Sequence, residues 1–229
     1  EAMNPGFIKR MRFGRPYVRL KLAMSLDGRT AMASGESKWI TSDAARLDVQ
    51  KLRARSSAIL TGVGTVLADD PAMTVRSEEV KKQPTRVVVD THLSMPFNAK
   101  MLKEAGETLV FTCSENEGKT ELEAAGAKVN MMPFCAQDVD LESVLDQLGE
   151  MEINEVLVET GATLSGAFLQ AGLIDEMVIY QAPIIMGDSG RPLFRLPGLD
   201  SMEQKIELDV TDRRMVGKDM RITAKVIRK

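Results

Sequence analysis

Three polar segments of this 229-residue chain carry the residue types that chemistry needs. In the first, Lys21 lies in an apolar run that ends in Ser25-Leu26-Asp27-Gly28-Arg29, and Gly35-Glu36-Ser37-Lys38-Trp39-Ile40-Thr41-Ser42 follows at once. An amine, a hydroxyl and a carboxylate delivered by one strand end are groups that hold or move protons. Trp39, the sole tryptophan, has polar flanks and precedes a helix start, so it reads either as a core residue or as a partly exposed stacking surface. In the second segment, Glu159-Thr160-Gly161-Ala162-Thr163-Leu164-Ser165-Gly166-Ala167, a strand turns into a helix. Free backbone N–H groups and the positive end of the helix dipole favour an anion there, and Gly161 and Gly166 leave room for a pyrophosphate. The spacing is not G-x-G-x-x-G, so the usual dinucleotide fingerprint is absent, and plain packing is the other reading of the same turn. The third segment, Thr61 to Pro71, is a two-glycine loop after a strand, where Thr65 and Asp69 reach ribose hydroxyls or a carboxamide.

Arginines supply the remaining anion chemistry. Arg46 and Arg53 are seven residues apart, hence on one face of a helix, and Arg76 follows Pro71-Ala72-Met73-Thr74-Val75. Two guanidinium forks that converge bind a phosphomonoester without a basic protein overall, whereas a single helical arginine is ordinarily solvated. His92 is the only histidine, and no suitably flanked serine or cysteine stands by it, which excludes a Ser-His-Asp triad and a multi-histidine metal site. Cys113 and Cys135 form neither a disulfide framework nor a metal-ligand spacing and read as small buried or half-buried residues.

The elements that must position these groups follow from periodicity. Tyr17–Ala23, Ala58–Leu60, Thr85–Asp90, Thr108–Thr112, Lys128–Met132, Glu155–Glu159 and Asp175–Ala182 read as strands, with Val87-Val88-Val89 buried on both faces. Helices are predicted over Asp43–Arg55 with Ser42 as N-cap, Lys119–Ala125, Leu141–Leu148, and from the Gly161 turn to Gly172. Lys205–Arg228 alternates in two arms around Val216-Gly217-Lys218-Asp219, an antiparallel hairpin. Strands alternating with helices predict an α/β fold with a mixed, mainly parallel sheet flanked by helices. Glu1–Gly14 reads as a Pro/Gly-broken, basic lead-in of a fragment cut from a longer protein, and 17–229 as one domain. The fifteen methionines read mostly as core filler, and the charge run Ser77–Lys82 as a solvated turn.

Composition narrows the classes. Hydrophobic residues at 44% and charged residues at 28% are those of a globular protein, and a net charge of -3 gives no basic surface for nucleic acid. The longest apolar stretches fall short of the roughly 20 residues that cross a bilayer, and no signal segment opens the chain, so a cytoplasmic protein is expected.

Taken together, Ser25-Leu26-Asp27-Gly28-Arg29, Gly35 to Thr41, Thr65-Val66-Leu67-Ala68-Asp69-Asp70-Pro71 and Glu159-Thr160-Gly161 resemble, in order, the reductase domain of the bifunctional riboflavin-biosynthesis deaminase-reductase family. The resemblance covers nearly all of Tyr17–Lys229. It implies a dihydrofolate-reductase-like fold and the reduction of 5-amino-6-(5-phosphoribosylamino)uracil to the ribitylamino product by NADPH. It implies that Ala23, Trp39, Thr65, Asp69, Thr91 and Gly161, Ala162, Thr163, Leu164, Ser165, Gly166 and Ala167 face the cofactor. It implies further that Ser37, Arg53, Met73, Arg76 and Glu159 face the substrate, and Lys21 and Glu159 are the candidate catalytic pair. It also implies a homodimer and a deaminase domain on the same full-length chain. The zinc-ligand motifs of that deaminase are missing here, so no metal is expected. Another reductase of the same fold, acting on a pterin or other pyrimidine, and a non-catalytic nucleotide-binding module are the competing readings.

Overall fold

In a computed structural model, residues 4–76, 80, 82–135 and 137–227 are described. Most of the Ser77–Lys82 run therefore lies outside the described residues. Along the chain the elements are α1 (Pro5–Phe13), β1 (Tyr17–Met24), β2 (Arg29–Ala31), α2 (Asp43–Arg55), β3 (Ala58–Gly62), α3 (Val63–Asp69) and β4 (Thr85–Val89). Then come β5 (Thr108–Thr112), α4 (Gly118–Ala124), β6 (Ala127–Met131), β7 (Phe134–Cys135), β8 (Asp138–Val139), α5 (Leu141–Glu150) and β9 (Glu155–Glu159). The chain closes with α6 (Ala162–Gln170), β10 (Glu176–Gln181), β11 (Arg191–Pro192), β12 (Leu208–Val216) and β13 (Asp219–Val226). Two compact units divide these elements: Glu1–Tyr17 with Gln50–Leu157, and Val18–Val49 with Val158–Lys229.

The first unit is built on parallel strands. β3, β4, β5 and β6 pair in sequence, with Leu60 opposite Val87 and Val88 opposite Val110. Val87 and Val88 are fully buried, as a strand covered on both faces requires. Ile59, Val66, Met73, Val88, Met101 and Val110 share one apolar cluster. Arg86 is buried here too; its guanidinium donates to the carbonyls of Glu104, Ala105 and Gly106 and to Thr108 Oγ1, and burial pushes its pKa down.

The N-terminal segment departs from expectation. Pro5 and Gly14, read as chain breaks, are the punctuation of α1: Asn4 Oδ1 accepts the Phe7 N–H at 3.1 Å, Pro5 sits in the first turn, and Gly14 at φ 71° donates to the Arg10 carbonyl at 2.8 Å. Arg10 Nε donates to Asn154 Oδ1 at 2.7 Å, and Arg15 pairs with Glu142 and Asp146 of α5, whose carboxylates hold the guanidinium pKa above its usual value.

In the second unit β1 runs parallel to β10, and β10 pairs antiparallel with β13. β12 and β13 form the expected hairpin around Gly217 at φ 62°, with a bulge between Val210 and Asp212. The expected fold class, a mixed and mainly parallel α/β arrangement with a C-terminal antiparallel hairpin, is the one observed. One other expectation fails and another holds for one residue of two. The methionines are not mainly core: Met73, Met95, Met101 and Met177 are buried, but Met11, Met32, Met131, Met151, Met202, Met215 and Met220 are exposed. Cys113 is half-buried, its thiol pKa raised by that burial, while Cys135 is exposed.

Candidate active site

Lys21 points from β1 toward the carboxyl end of β9, where its Nζ lies 3.9 Å from Glu159 Oε2. Both side chains are largely covered, 19% and 12% exposed, so the pair is screened less than a surface salt bridge. An ammonium and a carboxylate that share a half-buried site can pass a proton to or from a bound molecule. Ala23 lies two residues on, half-buried in β1.

Ser25 and Asp27, expected beside Lys21 as chemical groups, are instead consumed by the turn. Ser25 is fully buried; its hydroxyl donates to Asp27 Oδ1 and accepts the Arg29 N–H at 2.9 Å. Asp27 also accepts the N–H groups of Met186 and Gly187, the latter at 2.8 Å. The Ser25 hydrogen bond and these backbone donors hold its carboxyl pKa down at about 2.

Trp39 is 70% exposed, so the core reading is excluded. The Arg46 guanidinium lies over its ring at 4.5 Å from the centroid and donates to the Thr41 carbonyl at 2.7 Å. Arg46 also pairs with Asp43. The Lys38–Trp39 peptide is cis, and Ser37 is half-buried just before it.

The turn from β9 into α6 bears the features of an anion site. Gly161 caps the nine-residue helix without a side-chain hydrogen bond, no acidic residue occupies the first turn, and a Cβ at Gly161 would meet nothing within 4 Å. The first N–H groups of such a helix lack intrahelical partners. Ser165 is fully buried with its hydroxyl unpartnered. Ala162, Thr163, Leu164 and Ala167 complete this first stretch of helix. Gly166 has a different reason from the one expected: a Cβ there would stand 2.0 Å from the Arg195 carbonyl oxygen, so the glycine admits a crossing backbone rather than a pyrophosphate.

In the first unit, the segment read as a loop from Gly62 to Pro71 is largely helical, forming α3. Val66 is buried beneath it, and Asp70 ends it in a left-handed conformation at φ 41°. Glycine and β-branched residues weaken helix propensity and concealed this turn from a reading by pattern; tertiary burial of Val66 overrides them. Thr65 lies half-buried in its first turn and Asp69 exposed in its last. Arg53 donates from Nη1 to the Thr74 carbonyl at 3.0 Å, and the Arg76 backbone N–H donates to Gln50 Oε1 at 2.9 Å, leaving the Arg76 side chain exposed. Met73 is buried at φ 52° between them in sequence. Thr91, after β4, donates to Asp138 Oδ1 at 3.2 Å.

Among the polar groups that pattern reading missed is the half-buried Asp48. Asp48 Oδ2 accepts from Tyr180 Oη at 2.7 Å and from Arg221 Nη1 at 2.8 Å, and burial pushes the Tyr180 pKa far up. A signal existed: Asp48 falls on the apolar face of α2 marked by Ala45, Val49 and Leu52, where an acid needs a partner.

Among the described residues no helix is long and apolar enough to cross a membrane, and no group of three or more His, Cys, Asp or Glu could hold a metal ion. The fold is a mixed α/β one that presents an open helix N-terminus and, at the strand end before it, the carboxylate of an amine–carboxylate pair. Residues 16–221 match the family model of the RibD C-terminal domain, and the chain belongs to that family. It is 44% identical to the Escherichia coli riboflavin biosynthesis protein RibD over 232 residues, covering 96% of this chain and 62% of that one. Acinetobacter baumannii RibD is similar in structure, at 42% identity and a TM-score of 0.89 over 99% of this chain and 62% of the other. A Thermotoga maritima diaminohydroxyphosphoribosylaminopyrimidine deaminase/5-amino-6-(5-phosphoribosylamino)uracil reductase follows at 30% identity, with a TM-score of 0.83 over 97% and 60%. The chain thus spans about three fifths of the length of these relatives.

Proposed function

We propose that this chain reduces 5-amino-6-(5-phosphoribosylamino)uracil to 5-amino-6-(5-phosphoribitylamino)uracil with NADPH, as the reductase part of a riboflavin-biosynthesis enzyme. Its family and the activity named for the Thermotoga relative support the reaction. The half-buried Lys21–Glu159 pair is the observation in this chain that carries it.

When bound, NADPH supplies the hydride that reduces the ribosyl C1′ of the open-chain substrate. The residues present fit such a cofactor: α6 offers unpartnered N–H groups, open space at Gly161 and the orphaned Ser165 hydroxyl. Gly161, Ala162, Thr163, Leu164, Ser165 and Ala167 hold the pyrophosphate, while Ala23, Trp39, Thr65, Asp69 and Thr91 contact the rest of the cofactor. Arg53 and Arg76 bind the substrate phosphate as paired forks, and Ser37 and Met73 line its neighbourhood. Glu159 orients the sugar or pyrimidine and holds the Lys21 ammonium in place, and Lys21 delivers a proton to the opened sugar or amine. The protein works in the cytoplasm as a homodimer, with a deaminase domain on the same full-length chain and without a metal in the reductase.

The test is absorbance at the reduced-nicotinamide band with NADPH or NADH, and with the phosphorylated substrate or its dephosphorylated form. Oxidation of NADPH that needs the phosphorylated aminopyrimidine is the expected result. No oxidation with any pairing refutes the reading, and preference for the dephosphorylated form refutes the arginine assignment.

A further inference from the structure

The turn of the C-terminal hairpin reaches the place where the Trp39 loop enters α2. Asp219 is fully buried, and its Oδ2 accepts both the Ser42 N–H at 2.7 Å and the Ser42 hydroxyl at 2.6 Å. Among the described residues its Oδ1 has no hydrogen-bond partner, so Ser42 is the group this carboxylate holds. A Cβ at Gly217 would stand 2.8 Å from Ala44 Cβ, which places the hairpin turn directly on the first turn of α2. Ser42, expected as an ordinary N-cap, is drawn into this contact, and its hydroxyl is a long 3.4 Å from the Ala45 N.

Downstream of Ser42 the first turn of α2 carries Arg46, which spans back over the Trp39 ring and onto the Thr41 carbonyl. An exposed indole on a loop has little burial of its own to fix it. The contact on its ring comes from Arg46, in the first turn of α2, and Ser42 stands at the start of that helix.

We propose that Asp219 is a positioning residue for Trp39, acting through Ser42 to fix the start of α2 and so the ring that Arg46 covers. This rests on the reading of Trp39 as a cofactor neighbour. The C-terminal hairpin is thereby part of the cofactor site's support, although none of its residues carries a motif associated with that site.

The single tryptophan makes the test direct. Time-resolved fluorescence anisotropy of Trp39 in the free chain, together with KM and kcat for NADPH, is measured for wild type, Asp219→Ala, Asp219→Asn and Ser42→Ala. Tyr180→Phe serves as a control that loosens Asp48 without touching Ser42. Asp219→Ala adds a fast depolarising component and raises KM for NADPH about tenfold with kcat within about twofold, a loss of ground-state binding. Asp219→Asn, which keeps an acceptor oxygen, restores most of the anisotropy; Ser42→Ala falls between. Tyr180→Phe lowers Tm and leaves the anisotropy unmoved. Unchanged anisotropy in folded Asp219→Ala, or in Ser42→Ala if the former does not fold, overturns the proposal, as does an equal loss in Tyr180→Phe. Lowered anisotropy with an unmoved KM for NADPH sustains the tether and overturns instead the assignment of Trp39 to the cofactor.

Discussion

Lys21 Nζ and Glu159 Oε2 stand 3.9 Å apart, the first in mid-strand on β1 and the second at the end of β9, each largely shielded from water. That separation is an ion pair that a ligand hydroxyl or amine can enter, and it makes Lys21 the group whose removal should slow chemistry rather than binding. Lys21→Met is expected to lower kcat at least about tenfold with little change in KM for either substrate. Steady-state rates decide it, and a wild-type kcat in Lys21→Met ends the assignment.

Arg76 offers an exposed guanidinium whose backbone N–H alone is tied down, to Gln50. Arg76→Ala should raise KM for the phosphorylated aminopyrimidine by about 10- to 100-fold, the scale of a charge-assisted hydrogen bond lost, and leave KM for NADPH in place. Dephosphorylated substrate should be indifferent to the change. Equal losses for NADPH would reassign the side chain.

Gly161, which caps α6, and Gly166, inside it, should respond oppositely to alanine. At Gly166 the new Cβ would lie 2.0 Å from a backbone oxygen that cannot rotate away, so Gly166→Ala is expected to destabilise by about 1–3 kcal/mol or more in urea unfolding. At Gly161 it meets open space, and Gly161→Ala should keep wild-type stability while weakening NADPH. If both variants unfold alike, the distinction between packing and ligand space is wrong.

Asp27 ties the turn after β1 to Met186 and Gly187, and its folded pKa of about 2 lies below the ordinary carboxyl value of 3.8. A depressed carboxyl pKa contributes stability that is complete above the unfolded value and lost as pH falls from 3.8 through about 2. Asp27→Asn should therefore be less stable than wild type near neutrality, with the gap closing in that acid window. Chemical denaturation at a series of pH values measures it; a gap constant down to the lowest pH would show that the carboxylate charge is not what holds the turn.

Pattern served the strands best. Glu155–Glu159 and Thr108–Thr112 are observed at their expected bounds, because a short apolar run covered on both faces has one satisfactory conformation. It failed where meaning depends on partners distant in sequence. Pro5 and Gly14 look like interruptions until Asn4 is seen to cap the helix between them. Val63–Asp69 has the composition of a loop, and only burial of Val66 makes it a helix. Trp39 was ambiguous by composition alone, since whether an aromatic residue is covered is decided by chain elsewhere. Polar residues divided in the same manner: Lys21 and Glu159 are brought together, while Ser25 and Asp27 serve the backbone around them.

The second unit is assembled from two stretches of chain, Val18–Val49 and Val158–Lys229. Arg19 of β1 meets Glu176 of β10 across 157 positions of sequence. At synthesis rates of about 5–20 residues per second, β1 leaves the ribosome about 8–30 s before β10 exists. During that interval a strand containing Val18, Leu20 and Leu22, all buried in the finished fold, has an open edge and apolar faces on display. The vulnerable period of this protein's life is thus its birth: aggregation or capture by chaperones should concentrate on nascent chains that end before Glu176.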